Sequence, residues 1–369
     1  MRIAQVAPLY ESVPPTCYGG TERVVSWLTE ELVDSGHDVT LFASGDSKTS
    51  SKLVPCSRRS LRTDPQCRDY LAYHIALIER VAQSAANFDI IHFHIDYLHF
   101  PVSRSERLSQ ITTLHGRLDL PDLVPVYNEF SSMPVVSISH AQRKPLPWIN
   151  WVGNVHHGLP PKLLSLASGS GKYLAFLGRM SPEKRPDRAI EIATRLGIPL
   201  KIAAKVDRAD SEYFDREIRS LLNSPLVEFV GEITDAQKQA FLGDALACLM
   251  PIDWPEPFGI NMIEAMACGT PTVAFGHGSV PEIIMDGVNG FIVGGVEEAT
   301  DAVSQVSSLS RKDCRGVFEE RFTSSRMASD YLRIYETQLE RAESFNGNSN
   351  GHGRQKPEVC IPLTGAAIE

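Results

Sequence analysis

Two carboxylates eight residues apart frame the stretch of this chain best suited to chemistry. Glu256 stands in a proline-rich loop, Asp253-Trp254-Pro255-Glu256-Pro257-Phe258, and Glu264 in the apolar run that follows. Pro255 and Pro257 disfavour helix for the residues before them, so a helix starts only from about Gly259. Gly269, with Pro271 just beyond, ends it. A loop feeding a helix N-terminus leaves backbone N–H groups unpaired and partly positive. Gly259, Ile260 and Asn261 therefore offer donors to an anion or a hydroxyl. A structural reading competes. Asn261 followed three residues on by Glu264 fits a capping box, in which the carboxylate only satisfies an amide, and Glu256 is then an exposed loop charge.

Histidines supply the other candidate groups. His92, His94 and His99 fall close together, and His92 and His94 share one face of a strand, a spacing that a metal can use. No cysteine or carboxylate cluster at ligand spacing joins them, so no metal site is expected, and they read as strand-end histidines packed near a cleft. His115, in Thr112-Thr113-Leu114-His115-Gly116, stands at the carboxyl end of a strand and should face the same crevice. His156-His157-Gly158 reads as structural.

These residues need a scaffold, and the chain alternates strand and helix. Arg2 to Ala7 reads as a buried strand. Val24, Val25, Leu28, Leu32 and Val33 give the apolar stripe of a helix capped by Thr21 and closed by Gly36. His37 to Ala43 is the next strand, so the Gly19-Gly20 loop lies where open α/β sheets bind ligands. It is not Gly-x-Gly-x-x-Gly, so no dinucleotide fingerprint is read there. Asp89 to His94, Ile111 to Leu114 and Val135 to Ile138 continue the series. The small, polar run Ser165 to Lys172 fits a linker. A second series then starts, with strands at Tyr173 to Leu177, Pro199 to Val206, Val227 to Val230, Ala245 to Met250 and Thr272 to Phe275. The expectation is two separate Rossmann-like α/β sheets.

Length agrees, since 369 residues exceed the usual limit of one core. A formal net charge of -9 leaves no basic excess for neutralising phosphate backbones, which excludes nucleic acid as a general partner but not a local pocket for one diphosphate. No apolar run reaches the roughly 18 residues of a membrane span. The opening segment is too short an apolar run for a signal peptide. Seven scattered cysteines without a Cys-x-x-Cys pair suit reduced thiols. A cytoplasmic protein is expected, with peripheral membrane contact left open.

The string Glu256-Pro-Phe-Gly-Ile-Asn-Met-Ile-Glu264-Ala-Met-Ala-Cys-Gly-Thr-Pro resembles the Glu-x7-Glu signature of the retaining glycosyltransferases of family 4. The Gly19-Gly20 loop, His115, Gly178-Arg179 with Lys184, and Gly231 match further pieces in order, and the resemblance covers about residues 1–343. It implies the GT-B fold, two Rossmann-like domains facing each other across a deep cleft. Residues 1–160 would form the acceptor-side domain, 161–171 a linker and 172–323 the nucleotide-sugar domain. A helix over 324–343 would return to the first domain. The low-complexity tail, 346–369, is expected to be disordered.

The resemblance also implies roles. Arg179 and Lys184 look like the pair that grips the donor's diphosphate, where fixed cations stabilise the charge on the departing phosphate with no metal and no cofactor. Glu264 corresponds to the carboxylate on the ribose hydroxyls and Glu256 to the one on the donor sugar. Gly259, Ile260 and Asn261 lie beside that sugar and the phosphates. Gly20 would close over the diphosphate, His115 matches a histidine near the transferred sugar, and Ile233 falls where backbone atoms hold the base. The implied reaction moves a hexosyl group from a nucleotide-diphospho-sugar, a UDP-hexose by family analogy, to an unknown hydroxyl acceptor by front-face transfer. A nucleotide-sugar epimerase or hydrolase, and a non-catalytic nucleotide-sugar-binding protein, are the alternatives. The sequence departs from the family pattern at Ala203-Ala204-Lys205-Val206-Asp207, where glycines are usual, and at Asn154 to Pro160, where two histidines replace an Asn-Gly turn. The first departure brings Lys205 within reach of the phosphates.

Overall fold

Short apolar runs bounded by turn residues fold here as parallel strands, covered by the helices that connect them. A computed structural model of the chain describes residues 1–169 and 171–348, with side chains as far as Arg341. The first sheet contains β1 (Arg2–Val6), β2 (Asp38–Ser44), β3 (Lys52–Ser57), β4 (Ile90–Phe93), β5 (Gln110–Thr113), β6 (Val135–Ser137) and β7 (Trp151–Asn154). The second contains β8 (Leu174–Arg179), β9 (Leu200–Lys205), β10 (Val227–Gly231), β11 (Ala247–Met250), β12 (Thr272–Phe275) and β13 (Gly290–Val293). Their orders are β3-β2-β1-β4-β5-β6-β7 and β10-β9-β8-β11-β12-β13. The α/β class and the two-sheet layout expected from the sequence are both present.

Each order reverses once, between β1 and β4 and between β8 and β11. At such a point successive connections leave to opposite faces, and a crevice opens at the carboxyl ends of the strands. The segments after β1, β4, β8 and β11 carry Gly19-Gly20, His94, Lys184 and Glu256. Strand order alone therefore gathers most of the candidate residues.

Three local expectations are corrected. The helix that Thr21 was to cap runs Gly20–Asp34, with Gly19 at its cap and no side-chain bond there, so Thr21 lies in its first turn. Gly19 has φ +146, and a Cβ on it would stand 2.7 Å from Pro15 Cβ, so the loop closes only over glycine. β8 extends through Gly178 and Arg179, which the sequence placed in a loop. β3 and β7 were not anticipated. Both are sheet edges, and β3 contains Pro55, which an edge tolerates.

The chain passes between the two sheets twice, side by side. Leu159 N–H donates to Phe322 O at 3.0 Å, and Ser324 N–H donates to Leu159 O at 3.0 Å. A Cβ on Gly158 would stand 2.1 Å from Thr323 O, so the two passes touch only because residue 158 is glycine. Residues 161–169 of the expected linker are tied down. Arg315 donates to Pro161 O (2.9 Å) and Leu164 O (2.6 Å), and Arg311 to Ala167 O (3.2 Å). The last helix, Ser324–Asn348, crosses back and buries Met327, Ala328, Tyr331 and Tyr335. It runs past the expected end at 343, and the rest of the tail, 349–369, lies outside the described residues. No helix among the described residues is long and apolar enough to cross a membrane.

Candidate active site

The two crevices merge into one cavity of about 360 Å³, lined from both halves of the chain. Its floor is the helix Ile260–Ala267, entered through Gly259 at φ +82. A Cβ there would stand 2.7 Å from the Met262 methyl and 2.8 Å from the Met250 methyl, so the entry requires glycine. The capping box considered above does not form. The Asn261 amide donates to Leu177 O at 3.0 Å, which pins the helix to β8, and no side chain caps the helix start. Gly259, Ile260 and Asn261 line the cavity beside that uncapped turn, an arrangement suited to anionic or hydroxyl oxygens.

Glu264 turns away from the helix end and is buried, with Oε1 2.5 Å from Lys238 Nζ. Lys238 also lies 3.2 Å from Asp235 Oδ1, and Asp235 pairs in turn with buried Arg23 of the opposite half. Glu256 is buried as well, not the exposed charge of the structural reading. Its backbone is fixed by Ser279 N–H, which donates to Glu256 O at 2.9 Å, and by Gly278 at φ +59. One carboxylate oxygen, Oε2, takes both the Lys184 ammonium and the Trp254 indole N–H (2.9 Å). The structure thus brings Glu256 and Lys184 together, 72 positions apart in sequence.

Arg179 sits on the same wall, its Nη1 3.5 Å from Asp210 Oδ2. Lys205 approaches from β9, 3.4 Å from Asp207 and 4.9 Å above the Tyr18 ring. Ile233 and Glu232 line the far end, after β10. Gly20 comes close to the helix start from the other half, where a Cβ on it would stand 3.7 Å from Ile260 Cδ1. All ten residues to which the resemblance gives a catalytic or donor-binding role line this one space.

His115 forms the wall of the first half, and burial holds its pKa down at about 3. Its Nε2 lies 2.9 Å from His94 Nδ1, while Nδ1 has no protein partner. Both ring nitrogens of His92, His94 and His99 are engaged by protein groups, which leaves them no lone pair for a metal. Among the described residues no cluster of three His, Cys, Asp or Glu could hold one. His157 is a correction. Read as structural, it lines the cavity, with its ring 5.3 Å from that of His115 at 20° and 4.8 Å from Phe258. His156 does stay structural, 3.1 Å from Glu282.

Lys238, Trp254, Arg23 and His157 line the cavity and were missed. A signal existed for Lys238. Thr234 and Gln237 form a capping box that starts the helix Asp235–Gly243, which sets Lys238 one turn into a helix leaving the carboxyl end of β10. Trp254 stands two residues before Glu256 in the signature. For His157 there was none, because β7 ahead of it carries no strand-like pattern.

Paired parallel sheets meeting over such a cleft make the GT-B architecture. Residues 165–320 match the family model for glycosyl transferases group 1, and residues 18–157 match that for Glycosyltransferase Family 4. The chain belongs to family 4 of the glycosyltransferases. Among its relatives is the N-acetyl-alpha-D-glucosaminyl L-malate synthase of Bacillus anthracis, 25% identical over 366 residues that cover 87% of this chain and 95% of that protein. Matches to mycobacterial D-inositol 3-phosphate glycosyltransferases span less than half of those proteins. The fold is shared with a glycosyltransferase involved in avilamycin A biosynthesis, at TM-score 0.71 and 23% identity, covering 92% of this chain and 98% of that one. It is shared too with Anabaena HepE in complex with UDP-glucose, at TM-score 0.68 and 19% identity, covering 93% and 100%.

Proposed function

We propose that this glycosyltransferase moves a hexosyl group from a nucleotide-diphospho-sugar to a hydroxyl acceptor with retention of anomeric configuration and without a metal. The observation that carries the reading is the convergence of Arg179, Lys184 and Lys205 with Glu256 and Glu264 around the uncapped start of the helix Ile260–Ala267. A diphosphate placed there meets three side-chain cations and the backbone amides of that turn, which is the stabilisation a departing phosphate needs. Glu264 is placed to accept from ribose hydroxyls, Glu256 from sugar hydroxyls, and the backbone at Ile233 to meet the base. Gly20 closes the diphosphate from the opposite half. The donor is proposed as a UDP-hexose, in keeping with the UDP-glucose held by HepE.

Retention by double displacement would need a carboxylate on the far side of the sugar from its leaving group. The acidic residues lining the cavity are Glu232, Glu256 and Glu264, all on the donor half, while the opposite wall presents His115 and His157. This favours front-face transfer. The acceptor oxygen bonds to the anomeric carbon as the sugar–phosphate bond breaks, and the leaving phosphate oxygen takes the acceptor's proton.

A screen of nucleotide sugars for protection against thermal unfolding identifies the donor, because a ligand bound only to the folded state raises Tm. Turnover should then survive chelator, and the product should keep the donor's anomeric configuration by NMR. An inverted product would refute the front-face reading. Activity lost to chelator and restored by manganese or magnesium would refute the cation assignment.

A further inference from the structure

A line of buried polar groups runs from the crossing helix to His115. Tyr335 Oη lies 3.1 Å from Gln5 Nε2, and Gln5 Oε1 lies 2.8 Å from His94 Nε2. His94 Nδ1 lies 2.9 Å from His115 Nε2, and His115 Nδ1 is buried with no protein partner. Gln5, His94 and Tyr335 are all buried. Burial holds both imidazoles neutral, His94 well below its ordinary pKa and His115 at about 3. Each ring therefore carries one N–H and one bare lone pair.

Neutral imidazoles in series pass a direction along. Gln5 Nε2 donates to Tyr335 Oη, which frees the phenol proton for His92 Nδ1, 2.8 Å away. The Gln5 oxygen can only accept, so the proton between Gln5 and His94 sits on His94 Nε2. His94 Nδ1 is then bare and accepts from His115 Nε2–H. That leaves Nδ1 of His115, a residue of the cavity lining, as a buried bare lone pair.

We infer that Gln5, His94 and Tyr335 are positioning residues that hold His115 in this tautomer, so that its Nδ1 accepts a hydrogen bond from a hydroxyl of the bound sugar. The substrate side of the inference rests on the function proposed above. A hydroxyl can donate to a bare nitrogen, whereas a carboxylate in the same place sets lone pair against lone pair. The site therefore takes a neutral hexose and rejects a sugar acid whose carboxylate meets His115. The relay also ties the crossing helix to the active site, since the same Gln5 amide that accepts from His94 donates to Tyr335 Oη. Turning that amide over reverses every bond and puts the proton on His115 Nδ1.

The test reads the tautomer directly. Long-range proton–nitrogen correlation spectra of isotope-labelled histidine distinguish a bare ring nitrogen from a protonated one, and His115→Gln identifies the signals. Wild-type His115 should show Nδ1 bare and Nε2 protonated at neutral pH. Gln5→Met, which removes the accepting oxygen, should shift His115 away from that form, while Gln5→Glu, whose oxygens only accept, should keep it. With the donor in hand, kcat should fall about tenfold or more in Gln5→Met and largely persist in Gln5→Glu, with nucleoside diphosphate affinity unchanged in both. A proton on Nδ1 in the wild type overturns the inference, as does an unchanged tautomer in Gln5→Met. The wild-type spectrum decides even where a variant fails to fold. A chain with the expected tautomer that binds no nucleotide sugar would refute the proposed function and leave the relay standing.

Discussion

Lys238 Nζ lies 2.5 Å from Glu264 Oε1, and both side chains are buried at the foot of the cleft. The ammonium occupies one carboxylate oxygen and leaves the other for a ligand. It also starts a chain of charge that passes through Asp235 to Arg23, across to the half that carries Gly20. The carboxylate proposed for the ribose is thus linked, through Lys238 and Asp235, to the opposite side of the cleft.

Glu264 and Lys238 should consequently separate binding from stability. Glu264→Gln leaves a single accepting oxygen, and donor affinity should fall by about 1–3 kcal/mol, the scale of a bond to a charged group. Lys238→Met leaves a buried carboxylate unpaired and should cost about 3 kcal/mol of folding stability. Donor titration and melting curves on both variants check this. Wild-type affinity in Glu264→Gln would remove Glu264 from the donor site, and an unchanged melting temperature in Lys238→Met would show the pair to be dispensable.

Gly278 shapes the site without touching substrate. Its φ is +59, and a Cβ would stand 2.3 Å from both Glu256 N and Glu256 O. Gly278→Ala should displace the loop that presents Glu256, lowering folding stability and transition-state stabilisation together by at least about 1 kcal/mol each, read as a lower Tm and a slower turnover. Normal activity in a folded Gly278→Ala protein would mean that the position of Glu256 is not critical.

Much of this was legible in the sequence, and for definable reasons. The inner strands are apolar runs between turn residues, so β1, β4, β8, β11 and β12 were found within a residue or two of their ends. Glu256 and Glu264 announced themselves through the punctuation of their loop. Edge strands β3 and β7 were invisible, because a half-buried edge need not be apolar. The fate of Glu264 was not decidable either. Asn261 and Glu264 have capping-box spacing, and only the approach of Leu177 and Lys238, distant in sequence, withdraws both from that role. His157 escaped for the same reason, since its stacking on His115 depends on how two strand ends meet.

Glu22, in the first turn of the helix that follows Gly19, gives a pH signature. Burial pushes its carboxyl up to about 7, above the ordinary 4.5. The unfolded chain gives up this proton first. The stability linked to it is therefore full below about pH 4.5, declines as pH rises and is lost past about 7. The loss amounts to about 3 kcal/mol, from the difference between the two pKa values. Glu22→Gln should match the wild type near pH 4 and melt at a higher temperature near pH 8, by roughly that free energy. Equal gains at both pH values would show that the ionisation of Glu22 is not what the substitution relieves.

Lys184 and Glu256 permit the sharpest separation, because their pairing with each other and their proposed roles toward a donor make different demands. The ammonium and the Trp254 indole share one carboxylate oxygen. Lys184→Met leaves that buried carboxylate with a single donor and should cost about 3 kcal/mol of stability. Glu256→Gln preserves shape and can keep the bond from Trp254, so it should cost less. The double variant removes both charges and should regain most of the stability lost in Lys184→Met, since no unpaired ion remains. Turnover should behave otherwise. If Lys184 stabilises the departing diphosphate, its loss should lower kcat roughly 100-fold whatever occupies position 256. The expected pattern is rescue of Tm without rescue of kcat in the double variant. Recovery of both would mean that Lys184 serves only to neutralise Glu256, and the diphosphate would then rest on Arg179, Lys205 and the helix amides alone.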